Sequence, residues 1–146
     1  SVSDSYFFEP GGWPHDQHAD GIQMNAGGSA VIRNNTVIIT PYGGTAGDTS
    51  YVSNATIGIG TALGDIGSVT IDHNLLAGGG FLIYVQDKAY TWRGSATVSG
   101  NVFDRRFGPN GAIWGPLYPT DVAPQLVWNA NFWDAASECP LAEALP

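Results

Sequence analysis

Short runs in which apolar or β-branched residues alternate with small or polar ones recur along the chain. In each run a polar residue interrupts the alternation, and an apolar or aromatic residue follows it. A period of two predicts a β-strand on each side of that polar residue. Helical periodicity is nearly absent, and only the segment 135–145 suggests a short helix. The five runs are Val2–Phe7, Val31–Val37, Val69–Leu75, Val98–Phe103 and Val127–Phe132.

The polar residue that follows each first strand recurs at a nearly regular interval. Successive positions are separated by 30, 39, 27 and 30 residues, which indicates a solenoid with one long insertion. Asparagine tolerates left-handed backbone conformations, and asparagine amides stacked at one bend can hydrogen-bond to each other. The pattern therefore predicts a parallel β-helix of about five coils with three short strands in each coil. The ladder residues are Ser5, Asn35, Asn74, Asn101 and Asn131.

A further strand is predicted between successive bends, at Asp20–Met24, Ala55–Gly60, Phe81–Gln86 and Ala112–Gly115. Alternation divides these strands into an inward and an outward set. One outward residue per strand should form an exposed column, with a glycine gap and two aromatic rings: Gln23, Gly58, Tyr84 and Trp114. The expected inward residues are Ile22, Met24, Ile57, Ile59, Phe81, Ile83, Val85 and Ile113.

Composition and charge limit the classes of protein to which this chain could belong. The chain has 146 residues, of which 43% are hydrophobic, 12% aromatic and only 12% charged, with 20 glycines. Such a profile favours a β-rich extracellular or virion protein over a helical cytosolic enzyme. A net charge of −8 argues against nucleic acid as a partner. No apolar run is long enough for a membrane helix, and the single cysteine, Cys139, excludes an internal disulfide.

The coil pattern resembles the right-handed parallel β-helix of pectate lyases, polygalacturonases and phage tailspikes, over nearly the whole chain. The segment His18–Ile22, followed by Val31–Val37, is similar to the coil of polygalacturonases that contains Asn-Thr-Asp-Gly. On that resemblance Asp20 matches the family's carboxylate. The paired Asp-Asp, Gly-His-Gly and Arg-x-Lys motifs of those enzymes are absent from the sequence. The resemblance thus implies the fold and a link to polysaccharides more strongly than it implies catalysis.

Residues 1–134 are expected to form the coils, and residues 135–146 a small C-terminal cap. Ser1–Phe8 already corresponds to the second and third strands of a coil. Open strand edges invite association, so solenoids usually shield their first coil. We therefore expect either a longer solenoid, of which these are the C-terminal coils, or a neighbouring subunit that covers the first coil.

Two readings of the outward column remain open. Sugar rings stack on the faces of Tyr and Trp, so Gln23, Tyr84 and Trp114, with Arg105 nearby, could line a carbohydrate groove. Alternatively, Tyr84 and Trp114 pack beneath the loops 87–94 and 116–124.

Several charged residues are candidates for chemistry. Asp16, His18 and Asp20 occupy alternate positions, and such a set could hold a divalent cation or supply an acid and a base. Lys88 and Arg93 follow the strand of Tyr84, where a lyase of acidic polysaccharides would need a base and a neutralising cation. The catalytic candidates are therefore Asp20, His18, Lys88 and Arg93.

No cofactor is required by this hypothesis, although Ca²⁺ would suit the Asp16, His18 and Asp20 set. The alternatives are backbone hydrogen bonds for Asp20 or His18, and ion pairs with Asp87 and Asp104 for the bases.

The sequence therefore favours an extracellular, secreted or virion-surface module that binds polysaccharide. The first alternative is a polysaccharide lyase or glycoside hydrolase acting on an acidic glycan. The second is a structural segment that stacks or trimerises. Expected partners are a polysaccharide and other copies of the chain, with no nucleic acid and no membrane.

Overall fold

The computed structural model describes residues 1–9, 19–40, 53–118 and 126–134. Within these ranges all regular structure is β, and no apolar helix of membrane-spanning length occurs. The expected cap at 135–146, Cys139, and residues 41–52 of the insertion lie outside the described residues. The strands are β1 (Val2–Ser3), β2 (Tyr6–Glu9), β3 (Asp20–Met24), β4 (Ala30–Arg33), β5 (Thr36–Ile39), β6 (Ala55–Gly60), β7 (Val69–Asp72), β8 (Leu75–Gly78), β9 (Phe81–Gln86), β10 (Ala96–Ser99), β11 (Val102–Phe103), β12 (Gly115–Leu117), β13 (Leu126–Asn129) and β14 (Phe132–Trp133).

The strands form three sheets in which all the pairings are parallel. Sheet A has the order β1-β4-β7-β10-β13, sheet B the order β2-β5-β8-β11-β14, and sheet C the order β3-β6-β9-β12. The chain visits the three sheets in turn and then returns to the first. This arrangement is consistent with a three-sided parallel β-helix, the fold class that the sequence predicts.

The core fills the space between the three sheets. Each sheet contributes inward β-branched and aliphatic side chains, which are the residues expected to pack well on a pleated surface. Phe103 and Trp133, from sheet B, add two large rings. Ile22 and Met24 are partly buried against this core. Its fully buried side chains include Val37, Ile57, Ile59, Ile71, Leu76, Ile83, Val85 and Val98.

The ladder residues lie at the corner between sheets A and B. Asn35, Asn74, Asn101 and Asn131 are each at most 2% exposed. The backbone N–H of each ladder residue donates to the side-chain oxygen of the next, from Ser5 to Asn35 at 3.1 Å and onward to Asn131. The side-chain N–H groups of Asn35, Asn74 and Asn101 donate to the same oxygens at 2.9–3.0 Å. The carboxamides thus satisfy one another in a buried corner.

The left-handed backbone conformation belongs to the residue before each asparagine, and not to the asparagine itself as the sequence suggested. The φ angles of Asp4, Asn34, His73 and Ala130 lie between 50° and 55°, and that of Gly100 is 63°. A single left-handed residue turns the chain sharply enough to pass from one sheet to the next.

The strict alternation expected in sheet C is broken near the start of β3 and of β9. In β9 both Leu82 and Ile83 are fully buried. In β3 a Cβ at Gly21 would lie 2.6 Å from Val37 Cγ1, so this position also faces the core. The first residues of these two strands, Asp20 and Phe81, are therefore turned outward. For this reason the expectation that Phe81 points inward is wrong, and its ring lies among outward-facing aromatic side chains.

The last strand of sheet C begins three residues later than predicted. β12 starts at Gly115, which pairs with Phe81, whereas the prediction began at Ala112. Gly111 and Gly115 have φ angles of 71° and 151°, so the intervening residues form a bend. Ile113 consequently lies outside the strand and is only half-buried.

Candidate functional site

Asp20 lies on the outer face of sheet C because a glycine leaves room for it. A Cβ at Gly58, on the adjacent strand β6, would lie 2.9 Å from the carboxyl atoms of Asp20. The glycine gap expected in the outward column is therefore occupied by this carboxylate. The break in alternation at the start of β3 is what turns Asp20 to the same face as Gln23.

Two carboxamides hold the Asp20 carboxylate. Gln23 Nε2 donates to Asp20 Oδ2 at 2.8 Å, and Asn54 Nδ2 donates to Oδ1 at 2.9 Å. Asn54 directly precedes β6, and its backbone N–H donates to the carbonyl of Ala19 at 2.9 Å. Both donors thus sit on or beside sheet C, and they fix the carboxylate over Gly58.

Around this carboxylate the sheet forms an open cleft, which we call the Asp20 cleft. Lys88 reaches the cleft from the loop after β9, where its backbone N–H donates to the buried Thr61 hydroxyl at 2.8 Å. The structure therefore brings together three of the predicted site residues on the outer face, Gln23, Tyr84 and Asp20, with Lys88 beside them. The lining residues are Asp20, Gln23, Asn25, Asn54, Gly58, Ile59, Gly60, Tyr84 and Lys88.

An aromatic cluster, composed of Phe81, Tyr84, Trp114 and Tyr118, adjoins the cleft. The rings of Tyr84 and Tyr118 are stacked with centroids 4.2 Å apart, and the Phe81 ring contacts both tyrosines and Trp114. Trp114 lies against Gly80, where a Cβ would be 2.5 Å from its ring, and it is 56% exposed. Tyr84 is half-buried beneath Tyr118, so one of the two predicted rings is covered by a loop and the other is open.

Tyr118 takes the place in the column that the sequence assigned to Trp114. Leu117 pairs with Ile83, so the next residue, Tyr118, stands beside Tyr84. Trp114 precedes the strand and joins the cluster through Phe81. Sequence reasoning missed Tyr118 and Asn54, although the glycines at 111 and 115 were a signal that the strand starts late.

Tyr84 is protonated at neutral pH. Partial burial raises its pKa above the ordinary value, and the neighbouring Tyr118 and Asp20 raise it further. Its hydroxyl donates to Gln86 Oε1 at 2.9 Å. Because its pKa is raised, Tyr84 is suited to donating a hydrogen bond and unsuited to acting as a phenolate base.

Other predicted charged residues are engaged outside the cleft. Arg93 pairs with Asp65, with Nη2 2.8 Å from Oδ2, and not with Asp87. A backbone N–H from Thr91, followed by Arg93, lowers the pKa of Asp65. Arg105 lies over the Trp133 ring of sheet B, with its guanidinium carbon 4.3 Å from the centroid.

The predicted metal and catalytic set is described only in part. Asp16 and His18 lie outside the described residues. In the described part of the chain, no three His, Cys, Asp or Glu side chains lie close enough to hold a metal ion.

Comparisons with protein-family models, curated proteins and solved structures find no match to this chain.

Proposed function

We propose that the chain is an extracellular or virion-surface β-helix module that binds polysaccharide. The observation that carries the proposal is the junction of the aromatic cluster with the Asp20 cleft on one face of sheet C. Exposed ring faces suit the C–H faces of a sugar, and the neighbouring carboxylate, carboxamides and ammonium suit its hydroxyl groups. Such a combination of apolar surface with a few oriented polar groups is typical of ligand sites.

The spacing of the strands supports a ligand that runs along the solenoid axis. Adjacent strands lie about 4.8 Å apart, so outward side chains of successive coils recur at roughly the length of a sugar residue. In this proposal the fold is a right-handed β-helix of about five coils capped by residues 135–146.

The proposal is tested by glycan-array binding followed by titration calorimetry on the best ligand. Trp114→Ala removes the exposed ring, and we expect binding to weaken several-fold to about tenfold, given the strength of ring contacts. Phe8→Ala is the matched control, because Phe8 is 55% exposed, close to the value for Trp114, and belongs to sheet B. No binding to any glycan, or equal losses in both variants, would contradict the proposal.

Catalysis on a polysaccharide is the alternative supported by the same cleft. Asp20 and Lys88 both line it, so a carboxylate and an amine could act as acid and base on one bound sugar. Incubation with acidic polysaccharides, monitored by the ultraviolet absorbance of unsaturated products, detects a lyase, and reducing-end assays detect a hydrolase. Activity that Asp20→Asn abolishes would establish this alternative.

A second observation favours association of copies through sheet B. One row of its outer face is mostly apolar, and its two end residues, Tyr6 and Phe132, are 67% and 43% exposed. Light scattering should then detect a multimer that Val102→Lys dissociates, whereas Thr97→Lys on sheet A leaves it intact. The row consists of Tyr6, Thr36, Leu75, Val102 and Phe132.

A further inference from the structure

We infer that the glycan bound at the Asp20 cleft is uncharged, a polymer of neutral sugars and not of uronic acids or sulfated sugars. This inference rests on the proposed function and specifies its ligand. It follows from the placement of Asp20 and of the five Lys and Arg side chains, all of which are described.

The cleft carries a carboxylate beside its aromatic platform. Asp20 is held in place by Gln23 and Asn54 over Gly58. A sugar stacked on the aromatic cluster would bring its substituents toward this carboxylate. A uronate or sulfate there meets a like charge, whereas a hydroxyl offers a donor to it.

The cations that could offset an acidic ligand are largely engaged elsewhere. All 5 Lys and Arg side chains lie in described residues. Arg93 pairs with Asp65, and the exposed Arg106 pairs with the buried Asp104. Arg105 stacks on Trp133, and Arg33 lies 4.0 Å from Asp72 on sheet A.

Lys88 is the cation that lines the cleft, and Asp20 lines it too. One acidic and one basic residue therefore line the cleft, within a molecule whose net charge is −8. The remaining polar lining consists of carboxamides and a hydroxyl, which both donate and accept hydrogen bonds, as sugar hydroxyls do. The chemistry of the cleft therefore fits hydroxyl groups better than anionic groups.

The test measures binding of the full chain to dextran and laminarin as neutral probes, polygalacturonate as an acidic probe and chitosan oligosaccharides as a cationic probe. We expect binding to a neutral probe that changes less than about twofold between roughly 20 mM and 500 mM NaCl. At roughly 20 mM NaCl, polygalacturonate should bind at least about tenfold more weakly than the neutral probe.

Two isosteric variants distinguish a local effect from a general one. Asp20→Asn and Asp65→Asn remove the same unit of charge, but only Asp20 lines the cleft. We expect Asp20→Asn to raise polygalacturonate binding several-fold more than Asp65→Asn does. Thermal midpoints of both variants verify that each is folded.

Preferential binding of polygalacturonate or of chitosan would overturn the neutral class and leave polysaccharide binding intact. Equal effects of the two variants on polygalacturonate would overturn the role of Asp20 in selecting charge. Failure to bind any of the four probes, and any glycan on an array, would overturn the proposed function itself.

Discussion

At the scale of single residues, the corner between sheets A and B depends on a backbone conformation that few residue types adopt readily. The five residues preceding the ladder positions are Asp4, Asn34, His73, Gly100 and Ala130, and all are left-handed. Asp and Asn tolerate this conformation through local hydrogen bonds, and Gly adopts it without steric cost. Ala130 has neither advantage.

Exchange of glycine and alanine at two of these corners should therefore change stability in opposite directions. Gly100→Ala should lower the free energy of unfolding by about 1–2 kcal/mol, because the new Cβ strains a left-handed residue. That Cβ would also lie 3.2 Å from the His73 ring. Ala130→Gly should raise the free energy of unfolding by up to about 1 kcal/mol, after the greater entropy of glycine in the unfolded chain is subtracted. Urea denaturation measures both.

Gly28→Ala is the matched control for that pair. Its Cβ would meet nothing within 4 Å, and its φ is not in the left-handed region. We expect it to leave stability unchanged or raise it by about 0.4–1 kcal/mol. If Gly100→Ala were as stable as this control, the left-handed corner would not be present in solution.

Asp65 makes the free energy of unfolding depend on pH. Its pKa is lowered below the ordinary 3.8 by the Thr91 N–H and by Arg93. A carboxylate with a depressed folded pKa stabilises the fold fully above its unfolded pKa, and the effect is lost as the pH falls through the folded value. The difference in thermal midpoint between the natural chain and Asp65→Asn should thus be constant near neutrality and shrink below about pH 4. A difference that does not vary with pH would contradict this.

At the scale of elements, the ladder ties each strand of sheets A and B to the next coil. Asn74 accepts from both the backbone and the side-chain nitrogen of Asn35. It donates to Asn101 Oδ1 and to the carbonyl of Ile32. One buried side chain thus joins three successive bends.

Asn74→Ala should be strongly destabilising, because it leaves the backbone N–H of Asn35 buried without its acceptor. We expect a loss of about 3 kcal/mol in the free energy of unfolding. Asn110→Ala, at an exposed position, should change it by no more than about 0.5 kcal/mol. Chemical denaturation of both proteins provides the comparison, and similar values would mean that the ladder contributes little.

Gly58, in the centre of β6, shapes the cleft because it has no side chain. In Gly58→Ala the new Cβ would lie 2.9 Å from the Asp20 carboxyl group, which must move. In Gly60→Ala the nearest atom, the Gln86 carbonyl oxygen, is an acceptable 3.6 Å away. We expect Gly58→Ala to be about 1 kcal/mol less stable than Gly60→Ala and to weaken glycan binding, since the carboxylate leaves its two amide donors. Equal stability of the two variants in urea would contradict the position of Asp20.

At the scale of the whole molecule, the parallel sheets and the corner between A and B could be predicted because each coil repeats the same chemistry. The asparagine spacing is visible without any knowledge of contacts, and the strands around it follow from alternation. Sheet C was less predictable, because two consecutive residues, Leu82 and Ile83, both face the core and so break the alternation on which the prediction rests. Asp20 and Tyr118 reach the site through such irregularities, and a period of two does not encode them.

The same architecture should make folding slow. The described strand pairings join residues from 26 to 39 positions apart, so chain entropy is lost before the contacts form. We expect refolding in milliseconds to seconds, which stopped-flow measurement of tryptophan fluorescence can follow. Complete refolding within microseconds would show that local contacts, and not the parallel pairings, dominate.

The hydrogen bonds that end on a ladder carboxamide oxygen all run in one direction, whereas the second N–H of each carboxamide donates to a backbone carbonyl of the preceding coil. The oxygen of each carboxamide faces the preceding bend, and the amide nitrogen of Asn35, Asn74 and Asn101 faces the following one. Aligned amides polarise one another, so the series of ladder side chains has a direction along the solenoid axis that the net charge does not reveal. Two copies meeting along this axis could continue the series only head to tail, since a head-to-head contact would reverse its direction where the two copies meet.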